Sequence, residues 1–345
     1  MKNEYRSIFE KLKLRGGNQK YEWFQACGDS ALKNGLMVVG KAVNGWHQFQ
    51  IAEKDFEDLY EEKPEPLGQN GDVEAFFREN SCSSKKYNMN RSAFWRTVRN
   101  TAKGLFDCND RNFGKYIIYS DLYKIALPGK NPDPYLKQLE LPECMEILRK
   151  EIQLWKPAFI LFLTGWEWVD PFLVNFEQKD GLICSDKSQN DDLLEEWGQF
   201  PDGCRIAAIP HPQGKPEKLL SGKVIAFFHD FSGLQEKLAV EFGLLERKWN
   251  FNSVQEEIRF SLPPVWNNQS VPLTIQTDLN MLCFRIGIWS RDEKWIPLCQ
   301  ILSQKLGRLF KCNSAWQGGY TEVKFHEANS ELIKLVRDIY SIFRS

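Results

Sequence analysis

The sequence predicts a three-layer α/β/α domain with a central, mainly parallel sheet over residues 1–245, followed by a smaller α+β module over 248–345. Three observations carry this expectation. Short apolar runs recur at 36–40, 115–119, 158–163 and 205–209, each running into a loop. Segments with helical spacing fall between them, an alternation that implies parallel strands with helices over both faces. After about 248 the alternation gives way to paired strands and two helical segments.

Residues 4–13 form an amphipathic segment ended by Gly16-Gly17, which reads as a short helix. Leu36-Met37-Val38-Val39-Gly40 has a β-branched centre and reads as the first buried strand. Helices are expected over 72–80 and 92–106, the second with Phe94, Val98, Ala102 and Leu105 at helical spacing. Lys115–Tyr119 is the second strand. In Leu141–Trp155, Met145, Leu148, Ile152 and Trp155 share one helical face, and Lys156-Pro157 ends the helix. Ala158–Leu163 is the third strand, a helix follows over 166–176, and the polar stretch 186–196 reads as a solvated insertion. Arg205–Ile209 is the fourth strand, entering Pro210-His211-Pro212-Gln213-Gly214, with helices at 216–229 and 232–243. In the module, strands 271–276 and 282–289 form a hairpin. A helix over 295–310, a strand over 320–325 and a helix over 331–343 complete it.

Apolar residues make up 42% of the 345 positions and the charges nearly cancel at −1, which excludes disorder and fibrous classes. Any basic surface must then be a local patch. The N-terminus is charged and no apolar run spans a bilayer, so a cytoplasmic protein without membrane contact is expected. Nine scattered Cys, without a C-x-x-C pair, and four His point to no disulfide framework, no metal and no cofactor.

In parallel sheets ligands bind beyond the carboxyl ends of the strands. That rule selects Gly40-Lys41-Ala42-Val43-Asn44-Gly45-Trp46, Tyr119-Ser120-Asp121-Leu122-Tyr123-Lys124, Thr164-Gly165 after the apolar run from Lys156-Pro157, and Ile209-Pro210-His211-Pro212-Gln213. Taken in order, these segments resemble those of the uracil-DNA glycosylase superfamily. That family has a glycine-containing loop after the first strand, an Asn-containing segment after a middle strand and a late strand ending in His-Pro-Ser. The resemblance covers roughly residues 30–230 and leaves out the C-terminal module. The chain departs from the pattern in three places. The first loop lacks the usual proline and carries its Asn44 late, Asp121 stands where Asn is frequent, and Gln213 replaces Ser.

The resemblance implies a monofunctional DNA glycosylase that flips a base out of duplex DNA and hydrolyses its N-glycosidic bond. No obligate protein partner is implied. Asn44 would orient water, unless Asn44-Gly45 is only a turn pair. His211 would donate to the leaving base, unless it is a structural loop residue. Gly40, Ala42 and Val43 would line the base pocket, and Trp46 and Phe49 would stack on the base or else belong to the core. Lys41, Lys215 and Lys218 would meet phosphates and Gln213 would enter the gap in the duplex. Lys305 and Arg308, on one broad helix face with Lys311, form either a phosphate stripe or a solvated face. Asp121 would read the base edge, or else cap Leu122–Lys124 or pair with Lys124. An ionised Asp121 only accepts hydrogen bonds, which favours the amine of cytosine over the O4 of uracil. The favoured substrate is therefore a modified cytosine, as in phage DNA, which suggests antiviral defence. A non-catalytic sensor of modified DNA and a nucleoside- or nucleotide-processing enzyme are the alternatives.

Overall fold

The computed structural model describes the chain apart from residues 17, 30–31, 44–47, 63–72, 74–87, 185–194, 243–245, 250–255, 260–261, 267–268, 272, 279–281, 289–294, 309, 314–315 and 345. It forms two compact units. One comprises Met1–Ala102 and Cys108–Leu220, the other Lys103–Asp107 and Ser221–Ser345. The division at Leu220/Ser221 comes earlier than the expected 245. Ile225, Leu234, Leu238 and Phe242 pack into the core of the C-terminal sheet, which draws their helices into the second unit.

In chain order, the first unit starts with α1 (Lys2–Arg15), β1 (Lys20–Trp23), β2 (Leu36–Ala42), β3 (Gln48–Gln50), α2 (Phe56–Glu61) and α3 (Ala93–Leu105). It continues with β4 (Ile117–Tyr123), β5 (Ile125–Ala126), α4 (Pro134–Trp155), β6 (Phe159–Phe162) and α5 (Trp166–Asp180). It ends with β7 (Ile183–Cys184), β8 (Glu196–Gln199), β9 (Arg205–Ala208) and the start of α6 (Glu217–Phe228). The main sheet has the order β4-β2-β6-β9-β8-β7. Neighbours among β4, β2, β6 and β9 are parallel, β8 runs antiparallel to β9, and β7 pairs antiparallel with β8 and so returns to the common direction. This is an α/β architecture with a mostly parallel sheet. Register pairs Gly40 with Asp121, Val39 with Phe162, and Phe162 with Ala208, so the carboxyl ends of the four parallel strands share one edge.

Alternation along β4 sends Ser120 toward α4, where its hydroxyl donates to Glu151 at 2.7 Å. Tyr119 points the other way, against Trp95 of α3 with ring centres 5.4 Å apart. The outer margin of β4 is met by an isolated antiparallel bridge from Cys27. The Cys27 and Tyr119 backbones exchange hydrogen bonds of 2.9 and 2.8 Å.

Two boundaries differ from expectation for physical reasons. β4 runs to Tyr123, past the expected end at 119, because its polar Ser120 and Asp121 are buried and satisfied rather than solvated. α4 begins at Pro134, not 141. The Asp133 side chain accepts from the Leu136 N–H at 2.8 Å, and Pro134 occupies the first turn where no N–H is needed. Pro142, which suggests a helix start in the sequence, lies inside the helix. An unexpected small sheet, β3-β1-β5, is antiparallel.

The second unit adds α7 (Phe231–Phe242), β10 (Glu246–Trp249), β11 (Glu256–Arg259), β12 (Leu262–Trp266), β13 (Gln269–Val271), β14 (Leu273–Asp278) and β15 (Cys283–Ile288). Then come α8 (Ile296–Leu306), β16 (Lys311–Asn313), β17 (Trp316–Lys324) and α9 (Ala328–Arg344). A six-stranded antiparallel sheet, β10-β11-β14-β15-β17-β16, includes the expected hairpin β14/β15. Leu332, Leu335, Val336 and Ile339 of α9 are buried in its core, as their spacing predicts. Apart from Val73, which is helical and buried, the helix expected at 72–80 lies outside the described residues, as does most of the polar stretch 186–196. Among the described residues no helix is long and apolar enough to cross a membrane.

Candidate functional site

Asp121 sits at the carboxyl edge of β4 with 1% of its surface exposed. Its neighbour across the register, Gly40, explains how the carboxyl fits. A Cβ on Gly40 would lie 2.2 Å from Asp121 Oδ1, so glycine is required by close approach. The Tyr119 hydroxyl donates to the Asp121 carboxyl, 3.3 Å from each oxygen. Burial dominates the electrostatics and pushes the carboxyl up to about 8. The nearby Lys124 charge and the Tyr119 hydrogen bond oppose that shift, and Glu151 adds to it. Burial therefore favours the protonated carboxyl at neutral pH, against the expectation of an ionised, accept-only group. Neither local role holds. Asp121 lies inside a strand rather than at a cap, and Lys124 pairs with Glu151 at 3.0 Å.

From Asp121 a line of rings leads outward. Phe94 of α3 packs edge-on against Tyr119, with centres 6.1 Å apart, and lies 6.5 Å from the His211 ring. His211 stands between Pro210 and Pro212 just after β9, half-buried. Its Nδ1 accepts from the Gln213 backbone N–H at 3.4 Å, which leaves the proton on Nε2 as a donor. Burial first, and the charge of Lys41 second, hold His211 below the ordinary histidine range, so the ring is neutral at pH 7. Arg96, two residues after Phe94, forms a two-point ion pair with Glu217 at the start of α6. That pair ties the helix carrying Phe94 to the segment just beyond His211.

The structure thus connects Asp121, Gly40 and His211 through Tyr119 and Phe94. Asn44 and Trp46 lie outside the described residues. Ala42 and Val43 are buried, so a ligand meets at most their backbone. Gln213, Lys215 and Lys218 are exposed on the turn and helix that follow His211. Phe49 is corrected. It lies on β3 in the small sheet, against Phe9, Tyr21 and Trp23, and is core rather than a stacking surface. Phe49→Leu is expected to cost about 1–2 kcal/mol in urea unfolding, as core truncations do, with unchanged activity per folded molecule. A specific loss of activity would restore Phe49 to the site.

Arg308 pairs with Glu331 at 2.8 Å, so a phosphate would have to compete with that carboxylate. Arg285, in the same unit, pairs with Asp278 at 2.7 Å. Lys305 is exposed on α8. Tyr119 and Phe94 escaped sequence reading. Extending the second strand by its period-2 pattern would have put Tyr119 on the face of Asp121. Phe94 looked like one more core position of a helix. Among the described residues no group of three His, Cys, Asp or Glu side chains is placed to hold a metal ion. Compared with models of known protein families and with curated proteins, the chain matches none.

Proposed function

We propose that the chain is a monofunctional DNA glycosylase, built on a three-layer α/β/α domain of the uracil-DNA glycosylase kind, that excises a pyrimidine from duplex DNA. The observation that carries this reading is the convergence of a base-reading group, aromatic faces and a donor at one strand edge. Asp121 lies beside Gly40, the half-buried Phe94 packs on Tyr119 and offers a ring face, and His211 keeps on Nε2 a proton that would donate to a leaving base. A pyrimidine flipped from the stack needs these three elements. Because Asp121 is so deeply buried, the base edge reaches it only after a side chain of the cluster moves, and the half-buried Phe94 stands at the outer end.

The neutral carboxyl sharpens the question of base choice. Protonated, Asp121 donates as well as accepts, as a carboxamide does, and suits uracil-like and cytosine-like edges alike. Ionised, it only accepts and favours the cytosine amine, so preference for a modified cytosine such as those of phage DNA belongs to the charged form. The wild-type rate ratio of modified cytosine to uracil is expected to rise as pH passes upward through about 8. One edge contact is worth about 1–3 kcal/mol, or roughly ten- to a hundredfold. Asp121→Asn does not titrate there and keeps a flat ratio. Parallel pH profiles in both proteins would show that Asp121 does not read the base.

The founding experiment incubates the full chain with duplexes carrying uracil, cytosine or modified cytosines and scores alkali-labile abasic sites. Binding without abasic sites on any duplex would replace catalysis with a sensor of modified DNA. Cleavage of nucleosides alone would move the activity to small molecules.

A further inference from the structure

Near the carboxyl edge of the sheet, beside the first turns of α4 and α5, two lysines share one indole. Lys41 follows Gly40 in β2, so strand alternation turns its side chain away from Asp121. Its Nζ lies 5.4 Å from the centre of the Trp168 ring. Lys137, in the first turn of α4, places its Nζ 3.1 Å from the same ring and 5.7 Å from that of Tyr123. Tyr123 meets Trp168 edge-on at 5.8 Å and fixes the platform. Each ammonium gains from an aromatic face, but the two repel one another. Burial, and then the charge of Lys41, lowers the pKa of Lys137.

Carboxylates near this pair do not neutralise it by contact. Glu167 is exposed, and Glu195 is committed to the Trp166 backbone N–H at 2.6 Å. Burial raises the Glu195 carboxyl, against the pull of Lys215 and Lys41. Among the described residues neither Lys41 nor Lys137 forms an ion pair through its ammonium group. The first turns of α4 and α5 both end here, and their dipoles add positive potential. Two cations with no ion-pair contact among the described residues, held side by side on one ring, make a receptor for a compact anion. Ammonium groups act there as point charges, which suits phosphate.

We propose that Lys41, Lys137 and Trp168 form a phosphate-binding subsite, filled in the working complex by a backbone phosphodiester of the substrate strand. The anion chemistry stands on this geometry alone, while DNA as its source rests on the glycosylase reading. A free nucleotide offers the same group, and the test separates the two.

Binding of a fluorescein-labelled duplex is measured against salt for wild type, Lys41→Ala, Lys137→Ala and the exposed control Lys179→Ala. Loss of one phosphate contact lowers the slope of log K against log salt by about one, so each site variant is expected to show that change and the control none. In wild type, acetylation of lysines by acetic anhydride is mapped by mass spectrometry, with and without the duplex or inorganic pyrophosphate. Joint protection of Lys41 and Lys137, without protection of Lys179, supports the subsite. Protection by pyrophosphate in a protein that binds no duplex keeps the subsite and removes DNA as its source. Duplex binding with unchanged slopes and no protection overturns the subsite and leaves the DNA reading standing. No protection by either probe, in a protein that binds no duplex, overturns both.

Discussion

Replacing Glu151 with leucine is expected to destabilise the first unit by about 3–5 kcal/mol, because it strands a buried charge. Lys124 is fully buried and Glu151 is 1% exposed. The ammonium reaches Glu151 Oε1 at 3.0 Å and Ser120 Oγ at 2.7 Å. The Ser120 hydroxyl donates onward to Glu151, closing a triangle under β4. Without Glu151, Lys124 keeps only a hydroxyl, in a place where water does not reach. Urea unfolding followed by tryptophan fluorescence reads the loss. Adding Lys124→Met should recover much of it, since an apolar pair of similar volume avoids the desolvation cost. A loss in Glu151→Leu no larger than about 1 kcal/mol, the range of exposed pairs, would mean that the triangle is hydrated.

His211→Ala is expected to lower the rate of base excision about a hundred- to a thousandfold, the usual cost of removing one donor at a site of developing charge. Duplex affinity should hardly change, since phosphate contacts carry most of it. The argument turns on the state of the ring. With Nδ1 accepting from Gln213 and the proton on Nε2, a neutral imidazole donates without itself carrying charge. His211→Gln keeps an N–H of similar reach and should recover part of the rate. Single-turnover excision, with saturating protein, separates this from binding. Equal rates for wild type and His211→Ala would remove His211 from the chemistry.

Much of the central sheet was legible because its strands are covered on both faces and so read as unbroken apolar runs. All but Lys41 of the seven residues of β2 are buried. What hid the rest was polarity placed in the interior. Ser120 and Asp121 look like the end of a strand, and Glu140 and Glu151 look like the wet side of a helix. Yet Glu140 accepts the backbone N–H groups of Lys124 and Ile125, each at 3.1 Å, and burial pushes its carboxyl up to about 8. Such pairings join residues far apart in the chain and leave no local period to detect. The site divides in the same way. Gly40, Asp121 and His211 follow from the rule of strand ends, whereas Phe94, Lys137 and Trp168 come from helices whose approach to that edge has no sequence signature. Phe49 failed for a related reason, because its strand belongs to a second sheet that the alternation of apolar runs did not announce.

The bridge between Cys27 and Tyr119 has a bearing on self-association. β4 is the outer strand of the main sheet, and an outer strand offers unpaired amide groups to any other chain that approaches it. Here the amide and carbonyl of Tyr119 are taken by a segment from earlier in the same chain, and the Phe24 N–H reaches the Lys124 carbonyl at 3.1 Å. At the opposite margin stands β7, two residues long among the described residues. Among the described residues, a neighbouring molecule finds the first margin met by Cys27 and Phe24 and only two paired residues at the second, so the sheet that gathers Asp121 and His211 offers little free backbone there for strand addition.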